Sequence, residues 1–136
     1  FIIRSIEGTF DDQLVARPPD EGYSDDAPGR MVLDKTCHGA LDAISSGQML
    51  SVMTDVEGSA GYVAMELVTG SLEGKSGTFV LQHSGIMTRG TPTLAVVVVP
   101  DSGTGELEGL TGRMDIDRPK DGVHVYRFDY SFPDEA

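Results

Sequence analysis

Two side chains suited to proton chemistry lie within apolar runs of this sequence: His83 in residues 79–84 and Glu66 in residues 62–68. An imidazole titrates near neutral pH, so His83 could serve as a general acid or base, and Glu66 could polarise the imidazole or a substrate. The alternative for His83 is a core histidine that is hydrogen-bonded to a backbone or hydroxyl group. Glu66 could equally face outward and only add charge to the surface. These two residues are the catalytic candidates of the sequence.

A lysine could complete this group. Lys35 alternates with Met31 and Leu33. Its side chain therefore either points inward and pairs with Glu66, or lies at a rim where its aliphatic stem covers apolar surface. The sequence leaves both alternatives open.

Metal and cofactor sites are not expected. The three histidines lie in different predicted strands, without H-x-H or H-E-x-x-H spacing: His38, His83 and His124. Ligand spacing of that kind marks most zinc sites, so we expect no metal. The glycine-rich turns lack the Lys-Ser/Thr pair and the following helix of a phosphate loop, so the sequence predicts no cofactor.

The length, charge and cysteine content of the chain limit its possible functions. The chain has 136 residues, enough for one hydrophobic core, and we expect a single domain over 1–136. Its formal net charge is −12, which disfavours binding to nucleic acid and to anionic membrane surfaces. Cys37 is the only cysteine, so no internal disulfide can form, and this favours a cytoplasmic location.

Strand-like alternation of apolar and polar residues runs through nearly the whole chain, whereas no window of a dozen residues keeps helical spacing without Gly or Pro. The pattern predicts eight strands with short connections, at 3–15, 30–38, 48–56, 61–69, 77–87, 93–100, 107–117 and 124–132. Strands joined in this way are typical of an all-β fold, a small closed antiparallel β-barrel.

A repeated phrase marks the turns between these strands. Residues 70–79 (GSLEGKSGTF) return as 105–114 (GELEGLTGRM), and a looser copy covers 39–49. In each copy, a break of Gly, Ser or Thr residues interrupts the alternation of apolar and polar residues. Such breaks are typical of a tight turn or bulge, because glycine adopts positive φ without steric cost. The repeat therefore predicts an antiparallel β-meander that closes on itself.

Two of the predicted strands indicate which face is buried. In the last strand one face carries His124, Tyr126, Phe128, Tyr130 and Phe132. We expect this face to point into the barrel, because five exposed rings would form an aggregation-prone patch. In the fifth strand His83 shares its face with Phe79 and Leu81, so it points inward if they do. In the fourth strand the alternation does not decide between the face with Tyr62 and Glu66 and the opposite face.

Five blocks of the sequence are distinctive: GRMVLDK at 29–35 with His38-Gly39, GQMLS at 47–51, GSAGYVA at 58–64, FVLQHSG at 79–85 with Met87-Thr88, and VPDSGTGEL at 99–107. Together they resemble the bacterial family of unknown function DUF3224, over residues 7 to 132. The resemblance implies the barrel of the allene oxide cyclase-like superfamily, to whose glycine-rich turn residues 103–112 are similar. Because the family has no established activity, the resemblance implies a fold and a cavity but no reaction.

A barrel of eight strands is just wide enough to be filled by side chains or to hold one small ligand. The expected lining is apolar and aromatic with a few polar groups, the usual pattern of a ligand site: Lys35, Tyr62, Phe79, Leu81, His124, Tyr126 and Phe128. We therefore expect a barrel that binds an apolar small molecule in its lumen.

Two other functions stay open at this point. The barrel could be a cofactor-free cyclase or isomerase, in which Glu66 or His83 handles a proton while the wall restricts the conformation of the substrate. It could also be an interaction module with a filled lumen. Relatives in the superfamily often oligomerise, so the resemblance also implies a homo-oligomer, either a dimer or a trimer.

Overall fold

A computed structural model of the chain describes residues 2–24, 27–119 and 122–133. The regular structure of these residues consists of eight β-strands and one turn of 3₁₀ helix, at Gly105–Leu107. The strands are β1 (Arg4–Arg17), β2 (Gly29–Gly39), β3 (Leu41–Met53), β4 (Ala60–Leu72), β5 (Lys75–Thr88), β6 (Thr91–Val98), β7 (Thr111–Asp117) and β8 (His124–Ser131).

The eight strands form one closed antiparallel barrel in which each strand pairs with its neighbours in the chain. β1 closes the barrel against β8, with Arg4 opposite Tyr130 and Phe10 opposite His124. Closure gives most backbone groups of the strands a partner and leaves no long free sheet edge. The predicted all-β fold, a closed barrel of eight strands in meander order, is therefore confirmed.

Two predicted strand starts were wrong. β3 begins at Leu41 rather than at 48, because Ala43, Ser45 and Gly47 continue its inward face with small side chains. The looser copy of the repeated phrase is thus strand and not turn along most of its length. β7 begins at Thr111 rather than at 107, because the 3₁₀ turn occupies the intervening residues.

The first copy of the repeated phrase forms the predicted tight turn. Glu73 and Gly74 connect β4 to β5 with φ angles of 47° and 86°. The left-handed region is open to glycine at no steric cost, which is the reason a glycine stands in this turn.

One end of the barrel, which we call the closed end, holds the β2–β3 and β4–β5 turns and is filled by aromatic rings. Phe79 and Phe128 are fully buried and stack with ring centroids 5.9 Å apart. The Tyr126 hydroxyl donates a hydrogen bond to the backbone oxygen of His38 at 3.0 Å. Full burial of such a side chain contributes about 1.5–3 kcal/mol, so this end anchors the fold. The inward orientation predicted for the rings of the last strand is confirmed.

The opposite end, which we call the open end, holds the β3–β4 and β5–β6 connections. Its inward-facing side chains stay accessible: Leu14 and Leu94 are each 40% exposed, and Met49, Tyr62 and Ile116 are half-buried. Their inward orientation follows from strict alternation with buried neighbours along each strand. Solvent therefore reaches these inward-facing side chains at the mouth of the barrel.

The wall of the open end is interrupted between β6 and β7. These strands pair only at Val96 with Met114 and at Val97 with Arg113, whereas β5 and β6 stay paired from Leu81 with Val98 to the end of their turn. Toward the open end, the other residues of β6 and β7 are not paired with each other. The β6–β7 ladder is therefore the shortest of the eight in the barrel.

Candidate functional site

Four polar side chains meet inside the barrel, between the closed end and the open end. The carboxylate of Glu66 lies at their centre, with Oε1 2.5 Å from Ser45 Oγ and Oε2 2.7 Å from His83 Nε2. Lys35 Nζ lies 3.1 Å from Oε1 and 3.2 Å from Oε2. All four residues are buried, and Glu66 is only 1% exposed. We call this group the polar cluster.

Four consecutive strands supply the polar cluster. Lys35 on β2 lies opposite Ser45 on β3, and His83 on β5 lies opposite Ala64, two residues before Glu66 on β4. The strand period of two turns each of these side chains into the lumen together with its buried neighbours. Lys35 therefore points inward and pairs with Glu66, which was one of the two alternatives, and the inward orientation predicted for His83 is confirmed.

The centre of the polar cluster is an ionised carboxylate. Burial by itself raises the pKa of Glu66, but the hydrogen bond with His83, the charge of Lys35 and the hydrogen bond with Ser45 lower it, to about 2. A buried charge is tolerated when it is paired and hydrogen-bonded in this way. Glu66 is therefore ionised at neutral pH, and both of its oxygens act as acceptors.

The ionised Glu66 selects the tautomer of His83. Because a carboxylate only accepts hydrogen bonds, the neutral imidazole carries its proton on Nε2 and its lone pair on Nδ1. Among the described residues, none makes a hydrogen bond to Nδ1, and no fully buried side-chain nitrogen or oxygen lacks a partner. Nδ1 therefore lies at the surface of the lumen. There it can accept a hydrogen bond or a proton from a bound molecule.

Tyr62 stands next to His83 on the side of the open end, with the two ring centroids 6.4 Å apart. Its ring lies over Gly85, where an added Cβ would be only 2.3 Å from the ring carbon Cε1. Glycine at this position is what leaves room for the ring. Burial raises the pKa of Tyr62, so its hydroxyl stays protonated at neutral pH and can donate a hydrogen bond into the lumen.

A second polar group, which we call the rim group, lies at the open end. Arg118 donates two hydrogen bonds to Asp12, Nη2 to Oδ2 at 2.5 Å and Nη1 to Oδ1 at 3.3 Å. His124 Nδ1 lies 3.6 Å from Asp12 Oδ1. The Phe10 ring touches both groups, since Lys35 Nζ and Arg118 Cζ lie 5.0 Å and 5.2 Å from its centroid. His124 therefore belongs to the rim and not to the polar cluster.

The other predicted lining residues lie toward the closed end. Phe79, Leu81, Tyr126 and Phe128 are each at most 2% exposed, because their surfaces pack within the core. Burial raises the pKa of the Tyr126 phenol to about 12. A role of these four residues as ligand contacts stays a prediction. Of the remaining three candidates, Lys35 belongs to the polar cluster, whereas Tyr62 and His124 stand at the open end.

Three site residues were missed by the sequence analysis. Ser45 fell in a segment predicted as a turn, although its alternation with the buried Ala43 was a usable signal. Asp12 alternates with Phe10 inside a predicted strand, so its inward position was also within reach. Arg118 follows β7 directly, and no pattern in the sequence indicated its contact with Asp12.

The described part of the chain brings no three His, Cys, Asp or Glu side chains together in a way that could hold a metal ion. The helical structure of these residues is limited to the 3₁₀ turn, which is far too short to span a membrane.

Comparison with known proteins places the chain among relatives of unknown function. The family described as DUF3224, protein of unknown function, matches residues 6–130. A crystal structure of a protein of unknown function from the DUF3224 family of Shewanella oneidensis MR-1 is similar over 96% of this chain and 98% of that chain, with 48% sequence identity and a TM-score of 0.88. No curated protein matches the chain significantly.

Proposed function

The chain belongs to the DUF3224 family, and we propose that it binds a small, largely apolar molecule in the open half of its barrel. The observation that carries this proposal is the unequal filling of the lumen. Inward-facing Leu94 is 40% exposed and Tyr62 and Ile116 are half-buried, whereas the rings of the closed end are fully buried. These accessible apolar side chains are the surface that a bound ligand would cover.

The lining supports a ligand with a large apolar part and one polar group. An apolar wall with a few convergent polar atoms is the usual pattern of a small-molecule site. The apolar part of the ligand would contact Leu94, Ile116 and Met49. Its polar group would reach the hydroxyl of Tyr62 and Nδ1 of His83.

Binding can be tested with N-phenyl-1-naphthylamine, a neutral dye whose fluorescence rises when it leaves water. The variant Leu94→Trp places an indole in the open end and should weaken dye binding at least about tenfold by filling the space. Val125→Trp is the matched control, because Val125 faces outward from β8 and is 39% exposed. We expect the wild type and this control to bind the dye with equal affinity.

The same variants show where the dye sits. The chain contains no tryptophan, so an indole introduced at either position is a unique donor for energy transfer to bound dye. Absence of dye binding by the wild type, or equal binding by all three proteins, would contradict a site in the open half.

The pairing of Glu66 with His83 favours a second candidate function, a cofactor-free isomerase or cyclase for an apolar substrate. His83 Nδ1 would take a proton from the substrate, Glu66 would stabilise the imidazolium, and the proton would return to another atom of the same molecule. No co-reactant is consumed in such a step. The relation to the allene oxide cyclase-like superfamily, which the sequence implies, belongs to this second proposal.

The tautomer of His83 tests the second candidate without a substrate. In ¹⁵N NMR of the neutral ring we expect the shift of an unprotonated nitrogen at Nδ1 and of a protonated nitrogen at Nε2. A proton on Nδ1 of the neutral ring would remove the base. Once a ligand is known, Glu66→Gln and His83→Ala should change the affinity of a binder by less than about tenfold. The same variants should lower the turnover of an enzyme by about 100-fold or more.

A further inference from the structure

The outer face of β3, β4, β5 and β6 exposes a continuous apolar surface. Six large side chains point outward there, each between 42% and 55% exposed: Leu50, Val63, Met65, Leu67, Ile86 and Val97. They are neighbours along and across the ladders, as in the pairing of Leu50 with Val63. We call this surface the apolar face.

The apolar face is almost free of charge. Every residue of these four strands is described, and among their outward positions only Asp42, near the closed end, is charged. The outer face of β7, β8, β1 and β2, which we call the charged face, is different. Its outward positions include Glu7, Asp11, Asp34, Arg113, Asp115, Asp117, Arg127 and Asp129.

The area of the apolar face approaches the area that one partner buries in a protein–protein interface. Six half-exposed large side chains offer on the order of 500 Å² of apolar surface, near the upper end of what a soluble monomer exposes in one patch. With the serine, threonine and glutamine side chains around them, the face approaches the ~800 Å² per partner that a standard interface buries. Such a patch, rimmed by polar residues, marks a contact with another protein.

We infer that the chain forms a homodimer in which the apolar face of one copy packs against the apolar face of a second copy. The net charge of −12 makes two copies repel each other wherever their carboxylates meet. A two-fold contact across the apolar face removes this problem, because it turns the two charged faces away from each other. A partner attracted by charge would instead bind the charged face.

The dimer contact is separate from the ligand site, because outward and inward side chains of a strand do not share a face. Met65, on β4 near the middle of the apolar face, lies close to the expected two-fold axis. Its strand neighbour Glu66 points the other way, into the polar cluster. Failure of the dimer would therefore leave the proposed ligand binding untouched, and the reverse also holds.

Sedimentation velocity of the full chain from about 1 to about 100 μM tests the inference directly. We expect the wild type to sediment as a dimer at the higher concentrations. Val63→Glu, which buries two like charges at the contact, should weaken association at least about 100-fold. Val125→Glu is the matched control, because it makes the same substitution at an outward strand position of the charged face. It should leave the dimer unchanged.

Three outcomes would overturn the inference: a monomeric wild type at about 100 μM, a dimer that Val63→Glu does not weaken, or equal weakening by both variants. If Val63→Glu does not give the circular dichroism spectrum of the wild type, Leu50→Glu on the neighbouring strand takes its place. Raising the salt concentration from about 0.05 to about 0.5 M should tighten the dimer by screening the net charges. Weakening by salt would also overturn the inference.

Discussion

The closed end and the open end of the barrel are built from the same eight strands and follow the same alternation, yet different side chains fill them. At the closed end, Phe79 and Phe128 are fully buried and stack on each other. At the open end, Leu94 stays 40% exposed, and Tyr62, whose ring covers Gly85, is half-buried. An eight-stranded barrel is close to the limit at which side chains can fill it. The buried rings make the closed end core, whereas the open end keeps inward-facing side chains accessible.

The polar cluster lies at the boundary between these two regions. Glu66 can stay ionised there only because Lys35, Ser45 and His83 all contact its carboxylate. The residues that end the hydrophobic core are thus the same residues that present polar groups to the open half. Substitutions on either side of the boundary should have different consequences.

The largest expected effect is on the stability of the closed end. Phe128→Ala should lower the free energy of unfolding by about 4 kcal/mol, because it removes a fully buried ring and leaves a cavity. Leu94→Ala at the open end should lower it by less than about 1 kcal/mol, because a partly exposed side chain loses little burial. Urea unfolding of both variants measures the difference. Equal losses would show that the two ends are packed alike.

The polar cluster should respond almost as strongly to the loss of its central charge. Glu66→Gln should lower the free energy of unfolding by about 3 kcal/mol, because Lys35 is then buried without a counter-charge. The double variant Lys35→Met with Glu66→Leu should stay within about 1 kcal/mol of the wild type, since it removes both charges together. If the double variant lost as much stability as Glu66→Gln, the buried ion pair itself would be a net source of stability.

Acid should destabilise the barrel through the same carboxylate. The pKa of Glu66 falls from the ordinary value of 4.5 to about 2 in the folded chain. A group whose pKa is lower in the folded state stabilises the fold above its unfolded pKa, and this contribution is lost as the pH falls toward the folded value. We expect up to about 3 kcal/mol of stability to disappear between about pH 4.5 and pH 2. Unfolding of Glu66→Gln measured over the same range should lack this component, and an identical pH profile would refute the assignment.

The smallest expected effect is at the open end. Tyr62→Phe should change the stability by less than about 1 kcal/mol, since only one neutral hydroxyl is removed. Its effect should appear in binding instead. A naphthylamine dye that also carries a carbonyl acceptor should lose up to about tenfold in affinity, while N-phenyl-1-naphthylamine should bind as before. Fluorescence titration of both dyes separates the two contributions, and equal losses for both would remove Tyr62 as a polar contact.

The sequence predicted most of the fold but only part of the site. Alternation and the repeated glycine turns were sufficient for eight strands and a closed barrel, because both are local signals. The sequence could not decide the orientation of Glu66, because β4 carries apolar residues on both of its faces. Its outward-pointing apolar residues are part of the apolar face. The pairing of Lys35 with Glu66 depends on the register of three strands, which no local pattern specifies.

Two other features depended on tertiary structure alone. The closed end could not be distinguished from the open end, because the predicted lining of Phe79, Tyr126 and Phe128 is as suited to a filled core as to a ligand wall. Arg118 and Asp12 are distant in the sequence and meet only in the folded barrel. The sequence alone therefore could not place Arg118 in the rim group.

The most direct measurement is native mass spectrometry of the chain purified under mild conditions from the organism that makes it, alongside Leu94→Trp and Val125→Trp prepared in the same way. We expect one reproducible small-molecule adduct on the wild type and on Val125→Trp, and little or none on Leu94→Trp. A wild type without an adduct, or an equal adduct on Leu94→Trp, would contradict ligand binding in the open half of the barrel.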